Sequence, residues 1–474
     1  VAAETRPVFA CSDVQLVISP LRRIAVLVVL GIVALVAAGP ASASDVVMRV
    51  RRDARPVAVA HAVAKAGLSD RRGLPGGMVA YRATRPRAAV RSLQRAGVVA
   101  WAHRSLAARI ADVPGNDTGM ATTSGLAGGW QRVQWDLVGP NGIDVAPAWQ
   151  LAAAAGAEGG RGVKVAILDT GVAYADRGRY KRSPELPPSR ILRGFDFVAD
   201  DDFPNDANGH GTFVASTIAG AANNHYGMVG IAYQAQIVPV RVLDEFGEGN
   251  SVRIAQGIRY AVDHGAQVIN VSIELYNDDL IDPRALSITT APEIRGALRY
   301  ARSHKVPVVA AAGNASQDDV PSDRLDTSII YAGATTEHGC IGWYSNYGKG
   351  VDIVAPGGGR DRSLPDDAAC SQDSTGRNVW QIAFNRSTPG DFRVPLDSHG
   401  KRGLAGTSMA APHVTGVIAL MLGGHVLGDQ PSTAAIQQRL EDTARDLGPA
   451  GRDKYYAGGL IDAAAAMRGT KTPR

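Results

Sequence analysis

Val163-Lys164-Val165-Ala166-Ile167-Leu168, followed by Asp169-Thr170-Gly171, is the stretch from which the fold of this chain can be read. A short apolar run closed by a glycine turn suits a strand buried within a sheet. From Trp130 onward apolar runs alternate with helical stretches, the pattern of parallel strands joined by crossover helices. The expected fold class is therefore α/β with a parallel sheet. Asp169 falls at the C-terminal end of its strand, the edge where open α/β sheets place their chemistry. Alone, an Asp ending a strand is a turn former, so a functional reading needs partners.

Three later stretches offer them. Asn208-Gly209-His210-Gly211-Thr212 precedes the small, apolar helical stretch Phe213 to Ala219. Imidazole between two glycines can take and return a proton near neutral pH if a carboxylate fixes its tautomer. The run Pro307 to Ala312 leads into Gly313-Asn314, whose amide could donate to an oxyanion. Gly406-Thr407-Ser408-Met409-Ala410-Ala411-Pro412-His413-Val414-Thr415-Gly416 places a hydroxyl where a loop becomes an apolar helix. First-turn N–H groups there lack helical acceptors and attract negative charge. Pro412 has no N–H, so the Ser408 carbonyl is expected to lose its helical partner. The structural alternative is that Gly406, Ala410, Ala411 and Gly416 only let a buried helix pack closely. His413 is the competing base, but five residues on from Ser408 it points about 140° away around the helix, which makes it a core histidine.

The 474 residues, 45% hydrophobic and 20% charged, allow a large core and two or three units. The net charge of +5 is unevenly spread: the segment through Asp112 carries 17 Lys and Arg against 6 Asp and Glu, which leaves the remainder at −6. An acidic main body argues against nucleic-acid binding. Ile24 to Ala38 is apolar apart from glycine, follows Arg22-Arg23 and precedes Ala41-Ser42-Ala43, so residues 1–43 read as a signal peptide with an over-long N-terminus. That implies secretion; left uncleaved, the same run would act as a membrane anchor, although it is short of the ~20 residues of a spanning helix. After cleavage Cys340 and Cys370 remain. A disulfide is the default for an exported protein, with two buried thiols as the alternative, and two cysteines alone make a poor zinc site.

Residues 44–112 read as a separate α+β segment of ferredoxin-like character. Strands are expected at Asp45 to Arg51, Gly77 to Ala83 and Val98 to Ala102, and helices at Val57 to Ala66 and Arg87 to Arg95. With 14 Lys and Arg against 4 Asp and Glu it complements the acidic body, as a removable pro-segment would; an ordinary attached domain is the alternative. Residues 113–129, rich in Gly, Thr, Ser and Asn, read as a linker containing the processing site, and 130–474 as the main domain.

Asp169-Thr170-Gly171, Gly209-His210-Gly211-Thr212, Ala311-Ala312-Gly313-Asn314 and Gly406-Thr407-Ser408-Met409-Ala410 resemble, in order, the four signature blocks of the subtilisin-like serine peptidases, from about Trp130 to Met467. The order Asp, His, Ser is that of subtilisin. The resemblance implies a parallel sheet with helices on both faces and a secreted serine endopeptidase made as an autoprocessed zymogen, its N-terminal segment similar to the family's inhibitory chaperone pro-domain. It implies Ser408 as nucleophile, His210 as base then acid, Asp169 as the orienting carboxylate, and Asn314 with the Ser408 N–H as oxyanion donors. Gly247-Glu248-Gly249, Ser272-Ile273-Glu274, and Ala312-Gly313 match the segments that receive an extended protein or peptide substrate. Glu274 stands where the family has glycine, which suggests a preference for Arg or Lys near the cleavage site.

The chemistry needs no cofactor. Asn223 to Gly230 resembles a calcium loop of the family, with Asn224 matching a side-chain ligand, and Asp201, Asp202 and Asp206 could supply another oxygen-rich site; acidic loops without metal are the alternative. Gly357 to Arg402 is a long insertion with an apolar patch at Val379 to Phe384, which a Cys340–Cys370 bridge could hold near the substrate. Tyr456 to Ile461 resembles the entry to the terminal helix, so no further domain is expected, and the protein is expected to be a monomer. Two rival functions remain: a catalytically silent peptide-binding protein on the same fold, and an esterase. The second is disfavoured because no Gly-x-Ser-x-Gly elbow surrounds Ser408.

Overall fold

The computed structural model describes residues 44–74, 78–104, 117, 129–275, 289, 291–318, 320, 329–364 and 369–471. The signal-peptide reading, and most of the linker reading, fall outside them. Two compact units divide the chain, Val1–Ile110 and Ala111–Arg474.

In the first unit, β1 (Ser44–Val50), α1 (Pro56–Lys65), β2 (Leu68–Leu74), β3 (Met78–Ala83), α2 (Pro86–Arg95) and β4 (Val99–Arg104) follow one another. Pro56 and Pro86 open the two helices, where a missing N–H costs nothing. The strands form one sheet in the order β2-β3-β1-β4, with antiparallel pairing throughout. Val46, Met48 and Leu93 are its fully buried centre. Strand β2 is not among the strands expected from the sequence. Leu68-Ser-Asp-Arg-Arg-Gly-Leu74 has no β-branched or aromatic residue, and only pairing to β3 at the sheet edge makes it a strand.

The second unit is built on seven strands: β5 (Lys164–Asp169), β6 (Phe195–Asp196), β7 (Gln236–Arg241), β8 (Val268–Val271), β9 (Val308–Ala311), β10 (Ile329–Thr335) and β11 (Ile353–Pro356). Their order is β11-β10-β9-β8-β5-β7-β6, and every pair is parallel. Around them run α3 (Trp135–Val138), α4 (Val145–Ala154), α5 (His210–Ala219), α6 (Ser251–Asp263), α7 (Pro292–Ser303), α8 (Thr407–Gly423), α9 (Thr433–Thr443) and α10 (Ala463–Arg468).

Side chains of β5 alternate between two cores. Val165 and Ile167 pack with Phe213 of α5 and Val414, Val417 and Ile418 of α8. Ala166 and Leu168 pack with Ile254 and Ile258 of α6 and Ile294 and Leu298 of α7. Helices thus cover both faces, which is why the strand sequence is apolar without alternation. From β5 the chain runs to the edge strand β6, returns to β7, then crosses to β8 and on to β11, so the topological switch point falls beside the end of β5. All residues of α8 except Ser408 and Leu422 are buried. An apolar helix of this kind is held by its surroundings, with about 1.5–3 kcal/mol for each fully buried Val, Ile or Leu. The small-residue packing reading of this stretch is therefore correct for the helix, and Ser408 is the exception at its start.

Cys340 and Cys370 form a disulfide. Within the insertion, Val379, Ile382, Ala383 and Phe384 are buried, and the first three join the core under α5 and α8 rather than forming a surface patch. Bridges Val379↔Leu404, Ala383↔Arg393 and Leu396↔Arg402 fold the insertion back on itself. Among the described residues no helix is long and apolar enough to cross a membrane.

Candidate active site

Asp169 closes β5, fully buried, and its Oδ1 lies 2.7 Å from Nδ1 of His210, the first residue of α5. Gly211 lets His210 approach Asp169, and Gly209 lets the same loop pack against the insertion. A Cβ on Gly211 would lie 2.1 Å from the Gly171 carbonyl and 3.1 Å from the Asp169 Cβ; one on Gly209, at φ +109°, would lie 1.9 Å from the carbonyl of Phe384 in the insertion. Thr170 N donates to the same Asp169 oxygen. Burial pushes the His210 pKa down, but the charge and hydrogen bond of Asp169, with the charge of Asp206, outweigh it and raise the value above 6.5.

Asp206 belongs to this site, although the sequence suggests a metal role for it. It is buried, and its carboxylate accepts from Thr170 Oγ1 (2.9 Å), Asn208 N, Gly209 N, Thr212 N and Thr212 Oγ1 (2.6 Å). Burial raises its pKa, and these donors offset only part of the rise. With its acceptors so engaged, Asp206 organises the loop and helix start that carry His210. An Asp shortly before a helix, with Thr212 beyond it, is the signal available in the sequence. Among the described residues no group of three or more His, Cys, Asp or Glu converges as a metal site.

Ser408 sits in the first turn of α8. Its hydroxyl donates to the Ser272 carbonyl at 3.3 Å rather than to His210 in this resting arrangement. Bonds between nucleophile and base are often open before substrate binds. The carbonyl of Ser408, freed by Pro412, accepts from Ser272 Oγ at 2.9 Å; that oxygen accepts from Asn270 Nδ2, and Asn270 Oδ1 accepts from Thr415 Oγ1. His413 is a core residue, its Nδ1 on the Met409 carbonyl and its Nε2 3.0 Å from buried Asp136.

Asn314 follows β9. Thr407 N and Thr407 Oγ1 lie 2.8 and 3.0 Å from its Oδ1. Since a backbone N–H can only donate, the amide oxygen must face α8, which leaves the NH₂ as the donor for the cleft. The Asn314 N–H donates to the carboxylate of Glu274.

A recess of about 660 Å³ brings together His210, Ser408, Asn314, Gly247, Glu248, Gly249, Ser272, Ile273 and Glu274. Two expected substrate residues do not line it. Ala312 is buried with its N–H on the Ala332 carbonyl, and the Gly313 N–H donates to Thr407 Oγ1; both support Asn314 from below.

The loop at Asn224, which follows α5, rests on two carboxylates. Asp117 accepts from Asn223 N and Asn224 N, while Glu185 accepts from Met228 N and from Asn224 Nδ2. Burial, with the nearby Asp117 charge, raises Glu185 well above 4.5. These oxygens, with Asn224 Oδ1, which accepts from Tyr226 N, are hard donors of the kind calcium takes.

A buried carboxylate on imidazole, a serine at a helix start and an amide donor beside it, all at the C-terminal edge of a parallel sheet, define a serine hydrolase of the Asp-His-Ser type. Residues 160–459 match the model of the subtilase family of peptidases. The chain belongs to that family and is a serine endopeptidase. It is 31% identical to thermitase of Thermoactinomyces vulgaris over 330 residues, 70% of this chain and 95% of that one. It is 33% identical to subtilisin Savinase of Lederbergia lenta over 311 residues, 65% and 92% of the two chains. Among solved structures, a protease of Pseudoalteromonas arctica PAMC 21717 superposes with a TM-score of 0.54 at 28% identity, covering 71% of this chain and 96% of its own. MycP1, solved with its N-terminal propeptide removed, superposes with a TM-score of 0.50 at 26% identity, over 70% and 97%.

Proposed function

We propose that Ser408 Oγ attacks the scissile carbonyl carbon while His210 Nε2 takes its proton, and that Asp169 holds the other ring nitrogen and stabilises the imidazolium. The carbonyl oxygen becomes an oxyanion held by the Ser408 N–H and Asn314 Nδ2. Collapse breaks the C–N bond, and His210 returns the proton to the departing amine. Water, deprotonated by His210, then attacks the acyl-enzyme; His210 returns its proton to Ser408 Oγ, and the acid is released. The observation that carries this reading is the Asp169–His210 contact of 2.7 Å, opening onto the recess that also holds Ser408 and Asn314.

The acyl half of an extended substrate lies between Gly247-Glu248-Gly249 and Ser272-Ile273-Glu274, pairing with main chain. Glu274, anchored on the Asn314 N–H, places a carboxylate beside the reacting centre and favours a basic residue there. Asp117, Glu185 and Asn224 would hold a structural calcium, which would neutralise the buried carboxylates.

The first unit serves as an inhibitory chaperone segment of a secreted zymogen. Its β-α-β-β-α-β order and antiparallel sheet suit a ferredoxin-like pro-domain, and its strongly basic composition supports the same reading. The propeptide named for MycP1 is in keeping with it. Processing within 113–129 is proposed on the composition of that linker. The test is expression from Ser44 with Ser408 intact or as Ser408→Ala. Intact protein is expected to release its N-terminal segment and react with a serine-directed phosphonate, and the variant to do neither. Failure of both in the intact protein overturns the proposal.

A further inference from the structure

A second recess, of about 670 Å³, shares Asn314 with the first and lies along Leu404 and Ala405, the residues that lead into the Ser408 turn. Most of its wall comes from the insertion. If the acyl half of the substrate lies along 247–249 and 272–274, as proposed above, the leaving half crosses Ser408 toward this recess. Its chemistry differs from that of the first. Trp343 and Leu396 present large apolar side chains that are 49% and 50% exposed. Arg360, Lys401 and His399 bring basic groups. Among the described residues lining it, the one carboxylate is Asp397, already committed to the N–H groups of Lys401 and His399 and to Asn378 Nδ2. No ion pair joins Arg360 or Lys401 to a carboxylate among the described residues.

The walls are also fixed. Trp343 N donates to the Arg360 carbonyl, and the Cys340–Cys370 disulfide ties the chain before Trp343 to the chain after Arg360. Asp397 N donates to the Lys401 carbonyl at 2.8 Å and closes the 396–402 turn. A preorganised site with exposed apolar surface and surplus positive charge suits a ligand of opposite charge and some apolar area.

We propose that this recess is a leaving-group subsite that selects substrates carrying an acidic residue, next to a large apolar one, shortly after the scissile bond. The inference rests on the catalytic reading above and deepens it.

Acyl transfer separates the two. The full chain, after processing, is acylated by one fixed peptide ester, and the acyl-enzyme is partitioned between water and added dipeptide amides, Leu-Glu, Leu-Gln and Leu-Lys. The Glu amide is expected to capture acyl groups about fivefold better than the Gln amide, the Lys amide least, with the difference shrinking at high salt. Arg360→Ser with Lys401→Ser should erase the difference, and ester hydrolysis by the variant shows that it is folded and still acylated. Equal partition in wild type, or a preference that survives the double substitution, overturns the subsite. Absence of ester turnover overturns the catalytic reading and the subsite with it.

Discussion

Ser272 donates its hydroxyl to the carbonyl of Ser408 at 2.9 Å, while Ser408 donates its own hydroxyl back to the Ser272 carbonyl at 3.3 Å. The first bond fills the acceptor that Pro412 leaves empty, and the pair ties the start of α8 to the end of β8. Ser272→Ala removes the first bond and also the acceptor of buried Asn270 Nδ2, and is expected to destabilise the protein by about 1–3 kcal/mol. Because the helix start also carries the Ser408 N–H, kcat should fall more than KM rises. Thermal unfolding and steady-state kinetics on one peptide measure both.

Asn314 presents its NH₂ to the cleft because Thr407 claims its oxygen. Asn314→Ala should lower kcat by about 10²–10³ with KM little changed, as expected for a donor used mainly in the transition state. A change confined to KM would remove Asn314 from the oxyanion site.

The pH profile follows from His210. As the proposed base it must be neutral, and its pKa lies above 6.5 because Asp169 and Asp206 outweigh burial. The kcat/KM is therefore expected to rise along one ionisation whose midpoint is above 6.5. For stability the sign is opposite: a raised histidine value contributes stability that is fully present below 6.5 and lost as pH rises through the folded value. Asp206→Asn should lower the kinetic midpoint, since it removes one negative charge near the ring.

Glu185 makes the body sensitive to alkali. Burial, then the Asp117 charge, raises its pKa well above 4.5. The folded state holds this proton more tightly than the unfolded chain, so stability is lost as pH rises from about 4.5 through the folded value, at up to about 1.4 kcal/mol per pH unit. Unfolding of Glu185→Gln followed against pH should lack that slope. Calcium should raise the midpoint of thermal unfolding in wild type and do so less in the variant.

Glu274 contacts the Asn314 N–H in the recess proposed for the acyl half of the substrate. Glu274→Gly is expected to reduce the rate advantage of Arg and Lys over neutral residues near the cleavage site, read by profiling on peptide libraries. An unchanged profile would exclude the carboxylate from selection.

Much of this protein is legible along the chain because the physics involved is local. An apolar run closed by Asp169, an imidazole between Gly209 and Gly211, and a serine before an apolar helix each carry their chemistry in a few neighbouring residues. Even the carbonyl orphaned by Pro412 can be foreseen, since a proline's missing donor is a property of the sequence. The edge strand β2 cannot, because its residues become a strand only through their partner. The role of Asp206 is legible in part: four of its five donors lie within six residues of it, in the turn that leads to Thr212, while the fifth, Thr170 Oγ1, is brought to it only by folding. Local sequence determined which groups could do chemistry and where the chain could turn. The tertiary structure alone decided which end of the Asn314 amide faces the helix, that Val379 to Phe384 is largely core, and that the insertion supplies a second recess. Those outcomes depend on hydrogen bonds and packing between residues far apart in the chain, and no local pattern encodes them.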